Sequence, residues 1–392
     1  MSALRPTRPA DEAIVVGAGI VGSALALGLR QRGTDVTVLD PAPPAVWRAD
    51  APDLRVYAIA ADAKALLERL GVWASIRARR VSPYSVMRVW DAAGGGELGI
   101  EADLLGVPQL GHIVEHALLA EALQSAAELA GVRVERGAAF AGIEAGGGTV
   151  TVRLADGRRL RTRWLFGADG ARSAVREAAG IAVDACDYAT SGLVAYVRGE
   201  RPHAATAWQR FLPGGPLALL PCADGRVSIV WSLPEAEARR LVAAPVALFD
   251  AELTRASDRV LGALALDGER RLFPLKRQLA VTMARDRVAL LGDAAHVVHP
   301  LAGQGVNLGL RDVAALLAAV DAGQARGGDG LTPARLARWA RERGSENALA
   351  AHAFEAIHRV YASSEPLPMA LRAAALGIAD LQPIKRRLWR AA

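Results

Sequence analysis

The uninterrupted apolar run Ala13-Ile14-Val15-Val16 predicts a buried parallel strand. Gly17-Ala18-Gly19-Ile20-Val21-Gly22 follows at once, then an apolar stretch that predicts a helix to Arg32, ended by Gly33. Val36 to Leu39 predicts the next strand, closing on Asp40. Further on, the spacing predicts an amphipathic helix over Asp62 to Leu70 and strands over Val86 to Asp91 and Glu97 to Ile100 around a glycine turn. A helix is expected over Ile113 to Ala130, and strands over Val132 to Glu135, Thr149 to Leu154 and Arg159 to Leu165. From about 183 to 275 the pattern changes to short alternating strands (Gly192 to Val197, Ala207 to Phe211, Leu217 to Leu220, Val227 to Leu233) separated by Pro-Gly turns, which predicts an antiparallel sheet. A buried strand over Arg287 to Leu291, a helix over Leu308 to Val320 and an arginine-rich helical region over 333–392 complete the pattern.

Composition narrows the class. The chain has 392 residues, 52% hydrophobic and 22% charged, which predicts a folded protein of two domains rather than a disordered one. Its two cysteines, Cys186 and Cys222, build neither a disulfide framework nor a zinc cluster. The formal charge of +6 is diffuse, and only three of the 47 basic residues are lysine. With 5% aromatics, this argues against a nucleic-acid surface. The run Ala13 to Leu29 is nearly uncharged, but Asp11 and Glu12 precede it and it carries four glycines, so neither a signal peptide nor a membrane anchor is expected. The expected location is cytoplasmic, touching the inner membrane surface at most. Among the histidines, His112 and His116 stand four apart without a third ligand, so no metal site is expected.

A lone G-x-G-x-x-G is weak. Here a strand precedes it, a helix follows, and a second strand ends in an acid, which is the context of a dinucleotide-binding turn. Gly17 permits the tight turn, Gly19 lets backbone approach a diphosphate, and Gly22 lets helix pack on strand. The helix start at Ile20 and Val21 offers N–H groups to the phosphates, and Asp40 suits a ribose diol. This motif alone leaves NAD and FAD open. Two later segments repeat the strand-then-glycine-turn design: Trp164 to Arg176, carrying Asp169, and Arg287 to His296, carrying Gly292 and Asp293. For both aspartates the alternative is helix N-capping.

Together the three segments resemble the dinucleotide fingerprint, the Asp-Gly motif and the Gly-Asp motif of single-component flavin aromatic hydroxylases. Within that group, His299 to Asp312 (HPLAGQGVNLGLRD), Leu54 to Ile59 and Leu110 to Glu115 are similar to the ubiquinone-biosynthesis hydroxylases, with the 2-polyprenylphenol C5-hydroxylases the nearest likeness. The resemblance covers about residues 12–345. Tyr57, where a smaller residue is expected, weakens the assignment of the ring position.

The resemblance implies an α/β fold. A Rossmann-like FAD-binding domain (1–82, 103–182 and 276–345) is interrupted by an antiparallel-sheet substrate domain (83–102 and 183–275), and a C-terminal helical segment (346–392) follows. It implies bound FAD, NADH or NADPH as co-substrate, and O2. A C4a-hydroperoxyflavin would pass one oxygen atom to the ring of a polyprenyl phenol. Arg55 is implied near the isoalloxazine, Glu115 at the cofactor, Asp169 at the cofactor and the nicotinamide approach, and Asp293 on the ribityl hydroxyls. Pro300 is implied to set its carbonyl beside flavin and substrate, with Gly303, Gly305, Val306 and Asn307 at the ring edge. Arg55, Pro300 and Gly303 are thereby the candidate catalytic residues. His296 and His299 are expected to be structural rather than general bases.

Catalysis on a reactive flavin needs a dry pocket. Phe211, Leu220, Pro221 and Trp231 are its candidate walls, with Phe273-Pro274-Leu275 at the return to the first domain; plain sheet core is the alternative for each. The mixed basic and apolar stretch Leu367 to Trp389 suits an anionic lipid surface or, equally, a solvated packing helix. Other ubiquinone-biosynthesis proteins are expected partners. Three further readings stay open: hydroxylation of a small soluble phenol, a redox-silent FAD-binding scaffold, and halogenation, for which the W-x-W-x-I-P motif is absent.

Overall fold

The computed structural model describes residues 11–92, 96–146, 148–298, 305–328 and 330–362. The strand Asp11–Val16 is apolar from Ala13 onward because it lies inside a parallel sheet covered on both faces. Its neighbours are Val36–Asp40 and Arg159–Gly167, and the parallel core is completed by Arg133–Arg136 at one side and Val288–Leu290 at the other. A hairpin of Phe140–Gly146 and Thr149–Leu154 adds antiparallel to the first half of Arg159–Gly167. Helix Ile20–Arg30 packs between helices His116–Leu129 and Gly305–Gln324. Their close approach needs glycine: a Cβ on Gly28 would lie 2.4 Å from Leu317, and one on Gly309 would lie 2.6 Å from Val21.

The second sheet has eight strands, running from His296–Val297 through Leu264–Ala280, Val183–Gly199, Val227–Pro234, Gly215–Pro221, Thr206–Leu212 and Val86–Asp91 to Glu97–Glu101. The α/β architecture expected from the sequence is present, with one parallel-cored sheet and one largely antiparallel sheet. Four local expectations change. Thr206–Leu212 pairs in parallel with Val86–Asp91, because the hairpin at 86–101 enters from a distant part of the chain. Two helices, Glu235–Ala243 and Val246–Ala256, cover the outer face of this sheet. The strand Leu264–Ala280 runs without a break across position 276. Lastly, Gly111–Glu115 is a strand rather than the start of a helix. Its five residues are all buried, and it is hydrogen-bonded to Val56–Ile59 on one edge and Ser82–Tyr84 on the other. The helix begins only at His116. At the C-terminus, Pro333–Ala362 is helical, and the stretch Leu367 to Trp389 lies outside the described residues.

Candidate active site

A cavity of about 610 Å³ opens where the carboxyl ends of the parallel strands face the second sheet. Its floor at one end is the turn after Asp11–Val16. Gly17 has φ +102°, and a Cβ there would stand 2.3 Å from the Ala168 carbonyl oxygen. A Cβ on Gly22 would stand 1.9 Å from the Gly17 carbonyl, so Gly22 sits behind the turn and serves packing. Gly19 differs: a Cβ there would meet nothing within 4 Å. No contact inside the protein requires glycine at 19; the open space above it belongs to the cavity, which Gly19, Ile20 and Val21 line. Among the described residues no side chain caps helix Ile20–Arg30, and no acid stands in its first turn, so its N–H groups and positive dipole end face the cavity. Asp40 also lines it, and its carboxylate accepts from the amides of Ala18 (2.5 Å) and Ala42 (2.7 Å).

The irregular segment after Asp40 is held by side chains from the helix His116–Leu129. Gln124 accepts from Ala45 N, and Glu121 accepts from Trp47 N. The segment ends at Arg55, whose side chain lines the cavity. Beside it, the Tyr57 hydroxyl and His116 Nδ1 are 3.2 Å apart, and both residues line the cavity. Burial, then the nearby Arg55 charge, pulls His116 down to about 4; burial pushes Tyr57 up to about 12 despite Arg55. Tyr57 therefore keeps its proton and shares a hydrogen bond with a neutral imidazole. Sequence reasoning missed His116, pairing it with His112 as an i, i+4 set; the strand–helix boundary between them sends the two rings to different surroundings. His112 packs edge-on against Trp73. Glu115, implied at the cofactor, does not line this cavity. It is buried in a small second cavity with Arg80, Tyr196 and Asp224.

Asp293 also lines the large cavity. It lies deep in the molecule, yet its side chain is exposed to the cavity space. Among the described residues no donor reaches its carboxylate, and burial pushes its pKa up against the pull of His296 and Arg55. It caps no helix. Asp169 does cap: its two oxygens take the Ser173 hydroxyl (2.5 Å) and the Val175 amide (3.1 Å) while the residue also lines the cavity, so capping and cavity lining coexist. Gly292 is buried behind Asp293, against Val21. Gly305 and Val306 line the cavity, and Pro300 and Gly303 lie outside the described residues. Asn307 is turned away from the cavity: it donates to Ala58 O (2.8 Å) and accepts from Ala60 N (3.1 Å), tying helix Gly305–Gln324 to the strand that carries Tyr57. His296 is structural as expected. Its Nε2 is 2.6 Å from fully buried Asp312, which also receives Arg343 and Asn347; burial opposes the Asp312 charge, but these partners win and hold its pKa low.

The far wall is the inner face of the second sheet, formed by Gly192, Val194, Ala218, Leu220, Val230 and Leu275, with Phe273 also lining the cavity. Of the four candidate substrate residues only Leu220 lines it. Register explains why. Leu193, Leu217 and Trp231 are cross-strand partners, and so are Val194, Ala218 and Val230. Successive residues point to opposite faces, so Trp231 belongs with Leu193, Leu217 and Phe249 in the core under the outer helices. Pro221 is one residue out of phase with Leu220. Phe211 packs against Val89 in a separate small cluster.

One end of this cleft is an uncapped helix start above glycine, its lining includes a carboxylate and an arginine without hydrogen-bond partners among the described residues, and its far wall is apolar. That donor set fits an elongated dinucleotide whose diphosphate lies at the glycine end and whose ring system meets the sheet. Fold and cleft thus define a dinucleotide-binding protein. A family profile described as FAD binding domain matches residues 11–340. The chain is 40% identical over 316 residues to 3-demethoxyubiquinol 3-hydroxylase of Escherichia coli (strain K12), covering 79% of this chain and 80% of that protein. It is 36% identical over 386 residues to Ubiquinone hydroxylase UbiL of Rhodospirillum rubrum, covering 97% and 88%. Among solved structures, PqsL of P. aeruginosa in complex with 2-aminobenzoylacetate superposes with TM-score 0.78 at 25% identity, over 93% of this chain and 99% of that one. The p-nitrophenol 4-monooxygenase PnpA from Pseudomonas putida DLL-E4 shares the fold, with TM-score 0.75 at 20% identity over 97% and 96%. The chain belongs to the FAD-binding family of ubiquinone-biosynthesis hydroxylases. It is an FAD-dependent aromatic-ring monooxygenase that uses NAD(P)H and O2.

Proposed function

We propose that the protein hydroxylates the ring of a polyprenyl phenol on the route to ubiquinone. The observation that carries this reading is one continuous cavity with a phosphate-suited glycine end and an apolar far wall. The names of the relatives support the substrate class. FAD held in this cavity would supply the redox chemistry, accepting electrons from NAD(P)H and reacting with O2. The chain's own residues do the rest. Gly17, Gly19 and the start of the helix at Ile20 and Val21 hold the diphosphate; Asp40, Asp169 and Arg55 lie along the same cofactor; Asp293 accepts hydrogen bonds from its polyol; Gly305 and Val306 line the ring end. Val194, Ala218, Leu220, Val230, Phe273 and Leu275 exclude water from the phenol, which limits loss of activated oxygen to solvent.

Deleting the gene in its host tests this directly. Mass spectrometry is expected to show a prenylated phenol lacking one ring hydroxyl, and the mass and ring position of that compound assign the carbon attacked. Unchanged ubiquinone with no accumulated precursor would refute the reading.

No helix among the described residues is long and apolar enough to cross a membrane. We further propose that the basic segment 367–392 rests on anionic lipid, where a polyprenyl chain resides. Truncation at residue 366 is expected to lower co-sedimentation with anionic liposomes; equal binding by both forms would exclude this role.

A further inference from the structure

Asp53 is gripped from both halves of the molecule. Its amide donates to Glu115 Oε2 at 2.9 Å, and its carbonyl accepts from the Tyr196 hydroxyl at 2.7 Å. Glu115 ends the buried strand Gly111–Glu115 beside the parallel sheet; Tyr196 stands on Val183–Gly199 in the second sheet. Both are buried, at 5% and 4% exposure. Two residues on, the Arg55 amide donates to Asp53 Oδ1 (2.9 Å) and the Arg55 carbonyl accepts from His116 N (2.9 Å). The amide and carbonyl of both residues are thus engaged, although the segment has no regular secondary structure. Arg55 lines the cavity, its charge acts on Asp293 and His116 there, and its guanidinium has no hydrogen bond or ion pair among the described residues.

The grip is itself braced. The Arg226 guanidinium lies over the Tyr196 ring, 4.3 Å from its centroid, and is tied to Asp224 at 2.5 Å. Arg80 bridges Glu115 (3.4 Å) and Asp224 (3.7 Å), closing a ring of contacts from one half to the other. None of these groups lines the large cavity, so direct cofactor contact does not account for them. A peptide arm without secondary structure loses conformational freedom when it is fixed, and fixing it before ligand arrives removes that cost from binding.

We propose that Glu115 and Tyr196 are positioning residues: their clasp on Asp53 makes the seating of the second sheet set the place of the Arg55 guanidinium, which meets an anionic group of the dinucleotide. This deepens the cofactor-site reading above and rests on it. Burial, with the neighbouring Glu115 charge, keeps the Tyr196 phenol protonated, as a donor must be.

A double-mutant cycle on the full-length apo-protein, read as the FAD dissociation constant by flavin fluorescence, tests the clasp. Tyr196→Phe removes one oxygen and is expected to weaken FAD about fivefold, the scale of one lost hydrogen bond. In an Arg55→Ala background the same change is expected to have less than about a twofold effect, because its target is gone. An equal factor in both backgrounds overturns the proposal while leaving the cofactor site intact. Glu115→Gln keeps an acceptor for the Asp53 amide and is expected to bind FAD nearly as the wild type does, with Glu115→Ala as weak as Tyr196→Phe. Glu115→Gln as damaging as Glu115→Ala also overturns it. A wild type that takes no FAD removes both the functional reading and the clasp.

Discussion

Asp293→Ala is expected to emerge from purification colourless, with FAD affinity reduced roughly 10- to 150-fold, the worth of a hydrogen bond to a charged acceptor. The expectation rests on a mismatch between cost and use. Burial raises the Asp293 pKa, so its surroundings disfavour the charged form, and among the described residues no donor compensates. Among the described residues this carboxylate makes no hydrogen bond that would stabilise the apo fold. It is suited to accept hydrogen bonds from a bound polyol. Stability should therefore move the other way: the denaturant midpoint of apo Asp293→Ala is expected to equal or exceed that of the wild type. A yellow, active Asp293→Ala enzyme would refute the assignment. A colourless but unfolded one would show that Asp293 holds the fold rather than the cofactor.

The second large effect separates two glycines of one motif. Gly22→Ala drives a Cβ to 1.9 Å from the Gly17 carbonyl oxygen, a backbone atom that cannot step aside alone. The helix Ile20–Arg30 must lift from the turn, and a loss of ~3 kcal/mol or more is expected, seen as insoluble or early-melting protein. Gly19→Ala meets nothing within 4 Å, and Gly19 has φ −68°, open to any residue. Its apo form is expected to melt within about 1 kcal/mol of the wild type, the scale of an N-cap change. Yet its methyl group enters the space above the helix start, so FAD binding should weaken at least about tenfold, ~1.4 kcal/mol. A Gly19→Ala protein that binds FAD normally would mean that the diphosphate does not pass over this turn.

The same residues show what was legible in the sequence. Ala13 to Val16, the spacing of Gly17, Gly19 and Gly22, and Asp40 at a strand end are local features, and local backbone geometry determines what they do. The alternation of the second sheet was legible as strands but not as faces. Val230 and Trp231 are both apolar, and only the cross-strand register with Ala218 and Leu217 decides which one looks into the cavity. Trp231 fills the core beneath helices Glu235–Ala243 and Val246–Ala256, the sheet-core alternative for an apolar strand residue. Helices Glu235–Ala243 and Val246–Ala256 carried a usable signal: Pro234 and Pro245 at their starts, Glu235 and Glu237 in the first turn of one, and Arg240 and Arg255 in the last turns. The strand character of Gly111–Glu115 was hidden because its partners, Val56–Ile59 and Ser82–Tyr84, are distant in sequence. Asn307 sits in a cofactor-type motif, yet its side chain joins a helix to a strand nearly 250 residues away. Glu115 likewise sits in a segment similar to the family, but its bond to Asp53 depends on how two sheets close on one loop.

The central claim is that this cavity joins FAD, NAD(P)H, O2 and a prenylated phenol in one turnover. Oxygen-18 labelling under single-turnover conditions tests it most directly. Purified yellow protein, NAD(P)H, ¹⁸O2 and a short-chain polyprenyl phenol in detergent are expected to give a product carrying one ¹⁸O on the ring, with NAD(P)H consumed in step. Oxidation of NAD(P)H that yields only peroxide with every phenol tried, or a ring oxygen that comes from water, would contradict the account.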